Sequence, residues 1–276
     1  MHEYRFSNAL GYTFEQLAEL HNSSFSGYFM PITMTAAQVA DFWRTNQIDA
    51  NRCVVMHDTQ GTFVGMARMG TRGTRGWCGG FGIVPEFRGS GASKALATEM
   101  VRVAKNSGLT LLQLEVLTQN IAAIKLYERV GFVTQRRLLG LEIATSDLPV
   151  GPSSTIERLE IETLLSWTPF YTKWPSWSLE LASLLTSNVE ALTIAGPDGQ
   201  INAFVVQRGN DTLRIQAVLL RSQLTATEFG KLLRVLAASC AKIQLYNEPE
   251  ESPLLAHYKS LGFNEFFSQY DMLLHL

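Results

Sequence analysis

The sequence predicts an α/β (α+β) protein that is built of two tandem domains. Segments with the period of strands alternate along the chain with segments that have the period of helices. The length of 276 residues exceeds the usual size of a single domain, and an apolar fraction of 46% is enough for two modest cores. The order of segments in the first half also recurs in the second half, which indicates an internal repeat.

The first half of the chain begins with two predicted helices. They cover residues 13–22 and 35–46, and an aromatic connection at 25–31 lies between them. Residues 53–57 and 63–69 then alternate like the two strands of a hairpin. The remaining predicted elements are strands at 77–84 and 111–117 and helices at 94–104 and 122–130.

A turn of small residues connects the third predicted strand to the helix after it. The first backbone N–H groups of a helix have no partner inside the helix, and the helix dipole favours an anion there. Gly89 and Gly91 carry no Cβ that would block close approach, and Arg88 adds a positive charge. The turn can therefore hold a pyrophosphate. A nucleotide P-loop is excluded because no glycine directly precedes Lys94, and a glycine turn without a ligand is the alternative.

A second motif follows the strand at 111–117. Its residues are Asn120, Ala123, Leu126, Tyr127, Gly131 and Phe132. Together with Arg88, Gly91 and Ser93, they resemble the GNAT superfamily of acyl-coenzyme A-dependent N-acetyltransferases. The pyrophosphate loop of that family is Arg or Gln, two residues, Gly, one residue, then Gly or Ala, so Ser93 departs from the last position. The resemblance implies mixed, mostly antiparallel sheets flanked by helices, with acetyl-coenzyme A (acetyl-CoA) as the co-substrate.

The resemblance also implies which residues bind the coenzyme. Phe81 to Val84 would hold the pantetheine amides by backbone hydrogen bonds in a gap between two parallel strands, and Gly79-Gly80 would bend the strand. An ordinary buried strand is the alternative. Asn120 would bind the pantetheine arm, cap the next helix, or do both. The full implied set is Phe81, Gly82, Ile83, Val84, Arg88, Gly89, Ser90, Gly91, Ala92, Ser93, Asn120 and Tyr127.

Transfer from a thioester needs an amine that has lost its proton and a sulfur that is protonated as it leaves. By the resemblance, Tyr127 lies near the coenzyme sulfur, and a phenol with a pKa of about 10 keeps its proton at neutral pH. We therefore expect Tyr127 to be the general acid, with a packing role as the alternative. Glu115 is the candidate base because the strand at 77–84 carries no carboxylate. Its alternative role is a hydrogen bond within the sheet.

Aromatic residues between the first two helices indicate a surface for the acceptor amine. By the resemblance, Phe25, Tyr28 and Phe29 lie at the substrate entrance, and Trp77 would join them. Aromatic faces suit an apolar or cationic amine, and they suit a helix-packing core equally well. The arginines at positions 68, 72 and 75 would meet an acidic acceptor or a coenzyme phosphate, or else lie in a solvated turn.

The second half of the chain repeats the first half but lacks its glycine turn. The sequence from Tyr258 to Phe263 echoes the sequence from Tyr127 to Phe132. Residues 221–226 carry side chains where the first half has glycines, so we expect no coenzyme in the second half. The predicted organisation is a catalytic domain at 1–145, an exposed linker at 146–155 and a degenerate domain at 156–276. The degenerate copy would serve as a scaffold, stand in for a partner subunit, or form one wall of the acceptor pocket.

Charge and cysteine content exclude several classes of protein. A net charge of −2 creates no field that would draw the protein to nucleic acid or to a membrane surface. Three cysteines and five histidines are scattered along the chain, so we expect neither a disulfide framework nor a metal site. No apolar signal segment or membrane-spanning run is visible, which predicts a cytoplasmic protein. We expect a monomer or a homodimer.

The sequence thus predicts an enzyme that moves an acetyl group from acetyl-CoA to a primary amine of a small molecule. One alternative is a catalytically silent acyl-coenzyme A-binding or interaction protein, and another is a protein N-acetyltransferase. The combination of Tyr127 with Asn120 favours an enzyme, because a binding module has no need of a general acid.

Overall fold

The computed structural model describes residues 3–30, 32–151, 154–172 and 174–276. Pro31 of the predicted aromatic connection lies outside the described residues, as do Pro152 and Ser153 of the predicted linker. None of the helices within the described ranges is both long and apolar enough to cross a bilayer.

The chain folds into two compact units, and its last residues return to the first of them. Unit 1 comprises Met1–Gln135 and Tyr270–Leu276, and unit 2 comprises Arg136–Gln269. The division lies earlier than the domain boundary that we predicted near residue 145, because most of the strand after the second motif is part of unit 2. In the predicted linker, Leu148 is buried and Val150 is exposed. The domain assignment at 1–145 and 156–276 stays a prediction.

Unit 1 contains a mixed sheet. Its first five strands are β1 (Tyr4–Ser7), β2 (Val54–Asp58), β3 (Phe63–Arg72), β4 (Arg75–Ile83) and β5 (Leu111–Leu117). They lie side by side in that order, with β1 to β4 antiparallel and β4 parallel to β5. The last strand of the chain lies on the other side of β5.

Helices cover both faces of this sheet. They are α1 (Phe14–Ser24), α2 (Ala36–Thr45), α3 (Ala92–Asn106) and α4 (Ile121–Arg129). Both α1 and α2 begin with a capping box, formed by Thr13 with Gln16 and by Thr35 with Gln38. On β2, the side chains of residues 54 and 56 pack in the apolar cluster of α3, while residue 55 packs in the cluster of α1 and α2. The alternation of a strand therefore separates the two cores.

Unit 2 repeats this architecture. Its strands and helices are β6 (Val133–Ala144), β7 (Ile156–Leu159), α5 (Leu181–Leu184), β8 (Glu190–Ala195), β9 (Ile201–Arg208), β10 (Thr212–Leu219), α6 (Ala226–Leu236), β11 (Lys242–Pro249), α7 (Leu255–Leu261) and β12 (Asn264–His275). The spatial order is β6-β11-β10-β9-β8-β7, and only β10 and β11 are parallel among these neighbours. Phe204, Phe229 and Tyr258 fill the core between sheet and helices.

The order of elements confirms the predicted fold class and the tandem repeat. The sequence β2-β3-β4-α3-β5-α4 of unit 1 corresponds to β8-β9-β10-α6-β11-α7 of unit 2. In both units the strand before the long helix is parallel to the strand after it. The predicted elements agree with the observed ones to within a few residues at each end. The strands β1, β6, β7 and β12 had not been predicted.

Candidate functional site

The strands β4 and β5 separate where the sequence predicts a gap for the coenzyme. They pair in parallel only over residues 75–77 of β4. A bulge follows at Gly79, where the register of β4 against β3 shifts by one residue. A bulge bends its strand, so residues 81–83 stay beside β3 and leave β5. The bend predicted at Gly79-Gly80 is therefore confirmed.

The glycine turn presents backbone N–H groups at the start of α3. Gly89 and Gly91 have φ angles of +79° and +92°, a region that glycine enters readily. Gly91 is the N-cap of α3 and offers the helix no side-chain cap. Among the described residues, no acceptor receives a hydrogen bond from the N–H groups of Gly89, Gly91 or Ser93. A Cβ placed on either glycine would meet no atom within 4 Å, so the turn is open to an anion.

Arg88 holds the glycine turn against its neighbours. Its Nε donates to the Ile83 carbonyl at 3.0 Å, and its Nη2 donates to the carbonyls of Ser24 at 3.1 Å and Ser26 at 2.7 Å. These carbonyls include the C-terminal end of α1, where the helix dipole favours a cation. Arg88 therefore fixes the turn to β4 and α1. The predicted contact of its guanidinium with a phosphate stays a prediction.

Tyr127 lies on α4 beside the separated part of β4. Its ring contacts Phe81 edge-on at 5.7 Å between centroids, and Phe132 lies 5.8 Å away. Tyr127 is 6% exposed. Burial raises the pKa of its hydroxyl well above 10, and Cys78 and Tyr28 add to the rise. The hydroxyl therefore keeps its proton at neutral pH, which a general acid requires.

The two matching tyrosines differ in the surroundings of their hydroxyl groups. Tyr258 of unit 2 is 0% exposed, and its hydroxyl is enclosed without a hydrogen-bond partner among the described residues. Its ring packs against Phe229 and Phe263. The hydroxyl of Tyr127 is not enclosed in this way. Tyr258 therefore has the environment of a core residue.

Asn120 connects the second motif to the aromatic connection. Its side-chain oxygen accepts a hydrogen bond from the N–H of Ala123 at 3.2 Å, which confirms that it caps α4. Its side chain also hydrogen-bonds the hydroxyl of Tyr28, which opposes the rise that burial causes in the Tyr28 pKa. Tyr28 packs edge-on against Phe25 and Phe29, each at 5.4 Å. Phe25 and Tyr28 are partly covered, whereas Phe29 is 54% exposed.

Glu115 and Trp77 contact each other across β4 and β5. The indole Nε1 of Trp77 donates to Oε2 of Glu115 at 2.6 Å. Trp77 is buried, and its ring lies 5.9 Å from that of Phe42 on α2. These contacts agree with the packing alternative for Trp77 and with the hydrogen-bonding alternative for Glu115. The roles of Glu115 as base and of Trp77 as a substrate contact stay predictions.

Arg68 is a residue whose placement the sequence reasoning missed. A solvated turn was one of the expectations for it, and this expectation is wrong, because Arg68 lies within β3 and is 4% exposed. The alternating segment at 63–69 had been assigned to a strand and already contained the signal. Arg68 is the cross-strand partner of Gly80, next to the bulge.

In unit 2 the parallel strands β10 and β11 also separate. They pair over residues 212–215 of β10, and a bulge follows at Gln216. This pattern matches residues 75–77 and the bulge at Gly79 in unit 1. Both copies therefore have strands that diverge at the same point of the fold.

The gap of unit 2 is filled by the chain itself. Tyr171 pairs with Leu219 of β10. Because β9 occupies the opposite edge of β10, Tyr171 lies on the edge that faces β11. On the side of β11, Asn247 donates to Oγ of Ser176 at 3.1 Å. The described residues of the segment 170–177 thus occupy the position that is open in unit 1.

An open gap between parallel strands that leads to a free helix start is the arrangement expected of an acyl-coenzyme A-dependent acyltransferase. Within the described chain it occurs in unit 1 and is blocked in unit 2. Residues 14–132 match the model of the acetyltransferase (GNAT) family. This matched part of the chain contains the gap, the glycine turn and Tyr127.

Two solved structures share the fold over almost the whole chain. A GCN5-related N-acetyltransferase from Sphaerobacter thermophilus aligns with 99% of this chain and 95% of its own, with a TM-score of 0.70 and 13% identity. A tandem GNAT protein from the clavulanic acid biosynthesis pathway aligns with 99% of this chain and 98% of its own, with a TM-score of 0.67 and 12% identity. Similarity at this level of identity shows the fold, which is that of tandem GNAT proteins.

The sequence is also similar to N-alpha-acetyltransferase 30 of Schizosaccharomyces pombe. The two proteins are 41% identical over 69 residues, which is 24% of this chain and 46% of the yeast protein. The chain thus spans about half the length of this curated relative.

Proposed function

We propose that the chain is an acetyl-CoA-dependent N-acetyltransferase with its active site in unit 1. The observation that carries the proposal is the open gap along β4, which leads to the free N–H groups of the glycine turn and has Tyr127 beside it. A pantetheine arm carries amides that suit the edge of a strand, and a pyrophosphate suits a helix start. The match of residues 14–132 to the model of the GNAT family supports the same proposal.

The proposed reaction is a direct transfer. The unprotonated amine attacks the thioester carbonyl, a C–N bond forms, and the C–S bond breaks. The departing sulfur takes the proton of the Tyr127 hydroxyl, and the attacking nitrogen loses a proton to Glu115, directly or through water. The proton lost by the nitrogen replaces the one that Tyr127 gave up, by way of solvent, so the products are an N-acetyl amide and free coenzyme A.

The proposed acceptor is a primary amine of a small molecule. From the aromatic connection, Phe25, Tyr28 and Phe29 would contact the amine. Trp77 would orient Glu115 through its indole hydrogen bond. Acetylation of a protein N-terminus is a second candidate, because the yeast relative is named as an N-alpha-acetyltransferase.

The proposal also includes the contacts with the coenzyme that the resemblance implies for Phe81 to Ser93 and for Asn120. No three His, Cys, Asp or Glu side chains of the described residues are grouped to hold a metal ion.

The test is release of free thiol from acetyl-CoA over a panel of primary amines and one short peptide with a free N-terminus. Tyr127→Phe should lower kcat by about 100-fold or more, because the sulfur then leaves unprotonated. The KM for acetyl-CoA should change little, since the ring remains in place. Tyr258→Phe is the matched control, and it should leave kcat unchanged because the enclosed hydroxyl of Tyr258 contacts no substrate.

Two results would contradict the proposal. Saturable binding of acetyl-CoA without thiol release for any amine or peptide would identify a silent acyl-coenzyme A-binding protein. An unchanged kcat in Tyr127→Phe would assign Tyr127 to packing, in the same way as Tyr258.

A further inference from the structure

Arg68 is a buried cation without a carboxylate partner. It is 4% exposed, and no Asp or Glu among the described residues forms an ion pair with it. The six residues that the structure does not describe include no Asp or Glu. A buried charge in a folded protein is normally paired, because removal of an ion from water is costly.

The contacts that Arg68 makes leave much of its hydrogen-bonding capacity unused. Its Nη2 donates to the Gly79 carbonyl at 3.3 Å, and its Nη1 approaches the Met34 sulfur at 3.9 Å. The guanidinium lies over the ring of Phe42 at 4.7 Å from the centroid. Its Nε is enclosed and has no partner among the described residues. Burial lowers the pKa of Arg68 to about 10, so the side chain is charged at neutral pH.

The fold makes room for this guanidinium at the bulge of β4. A Cβ on Gly80 would lie 2.3 Å from Nη2 and 2.6 Å from Nε of Arg68, so only glycine fits at position 80 without a shift of the arginine. Residues 81–83, which follow directly, border the gap proposed for the coenzyme. Met34, from the end of the connection between α1 and α2, and Phe42 of α2 cover the opposite side. The cation thus lies between the bulge and Met34 and Phe42, which follow the aromatic connection in the sequence.

We propose that Arg68 binds a carboxylate of the acceptor, so that the amine to be acetylated belongs to a small amino acid-like molecule. The proposal rests on the proposed function and names its substrate class. A carboxylate would supply the missing counter-charge and accept charge-assisted hydrogen bonds from the terminal Nη groups of the guanidinium. The contact with the Met34 sulfur, a weak acceptor, is the one that a ligand would displace.

The test compares amines that differ only in the carboxylate. Phenylalanine, leucine and lysine are supplied as free acids and as carboxamides. The kcat/KM for thiol release is calculated from the concentration of the unprotonated amine. Wild type should prefer the acid by about 10- to 100-fold in kcat/KM, as expected for charge-assisted hydrogen bonds. Arg68→Met should bring the ratio close to one, and Arg68→Lys should restore part of it.

Arg72→Met is the matched control, because Arg72 lies on the same strand and donates to Oε1 of Gln47 at 2.8 and 2.6 Å. In Arg72→Met, the ratio of kcat/KM for the acid to kcat/KM for the carboxamide should be the same as in wild type. The melting temperature of Arg68→Met should equal or exceed that of wild type, since an unpaired buried charge is removed. A marked loss of stability in Arg68→Met, or a wild-type enzyme without preference for the acid, would overturn the proposal.

A binding measurement separates this proposal from the proposed function. N-acetylphenylalanine and its carboxamide are titrated into the full chain in the presence of coenzyme A. If no amine is acetylated but the acid binds to wild type and fails to bind to Arg68→Met, the proposed function fails and the carboxylate site stands. If amines are acetylated but wild type and Arg68→Met both bind the acid and the carboxamide equally, the proposed function stands and the carboxylate site fails.

Discussion

His21 is a buried side chain whose protonation is linked to the stability of unit 1. Its Nε2 donates to the Ile32 carbonyl at 3.0 Å, so its Nδ1 is the nitrogen without a proton. Nδ1 is enclosed and has no partner among the described residues. Burial and the nearby cation of Arg68 lower the pKa of His21 to about 4. The imidazole is therefore neutral in the folded protein at pH values at which it would be charged in the unfolded chain.

We expect the protein to lose stability as the pH falls through the range from 6.5 to 4. In this range the unfolded chain binds a proton at His21 and the folded chain does not. The free energy of unfolding at pH 5 should therefore be about 2 kcal/mol lower than at neutral pH. His21→Gln keeps a donor for the Ile32 carbonyl but cannot titrate. Urea unfolding at pH 7.5 and pH 5 should show a smaller loss of unfolding free energy at pH 5 in His21→Gln than in wild type. Equal losses in the two proteins would contradict the assignment.

At the residue scale, spacing identified the motif residues but not their partners. The positions of Tyr127 and Asn120 follow from local sequence, because a helix start and its cap are local features. The burial of Arg68 and the contacts of Arg88 with the carbonyls of Ser24 and Ser26 depend on segments far away in the chain. No local pattern shows which face of a strand another helix will cover.

The element that decides coenzyme binding is the start of α3. The turn at Gly89 and Gly91 leaves N–H groups without partners and provides no side chain to shield them. The glycine after the other end of α3, Gly108, also has a positive φ, of +74°, and open space around it. Gly91 and Gly108 are therefore a matched pair at opposite ends of one helix.

Gly91→Asp should weaken acetyl-CoA binding by about 10-fold or more, because it places a carboxylate where the pyrophosphate would lie. The carboxylate is a favourable N-cap, and the strain of a side chain at positive φ is shared by Gly108→Asp. Gly108→Asp should bind acetyl-CoA as wild type does. Titration with acetyl-pantetheine, which lacks the pyrophosphate, should show no difference between the two variants. Equal affinity of both variants for acetyl-CoA would show that the turn does not contact the pyrophosphate.

At the element scale, hairpins and long helices could be predicted because their periodicity and turns are local. The strands β6 and β12 could not be predicted from such patterns. β6 follows α4 in sequence, yet most of it pairs with β11 of unit 2. The end of β12 is part of unit 1. Pairings between residues so distant in sequence are set by the whole fold.

On the scale of the whole molecule, the two copies of the fold differ in what occupies the gap between their parallel strands. In unit 1, β4 and β5 diverge after residue 77 of β4, and β4 leads on to the glycine turn. The gap of unit 2 contains Tyr171 and Ser176, and Ser176 is buried there. The missing glycines predict that the second copy binds no coenzyme, and this stays a prediction. The structure adds a chain segment that lies beside β10 and β11 in that copy.

The central claim is that one chain has one coenzyme site, in unit 1. The most direct test is a calorimetric titration of acetyl-CoA into the full chain at known protein concentration. We expect one site per chain, whose affinity for acetyl-CoA falls by about 10-fold or more in Gly91→Asp and is unchanged in Gly108→Asp. Two sites per chain, or one site that Gly91→Asp leaves intact, would place the coenzyme elsewhere and contradict the account.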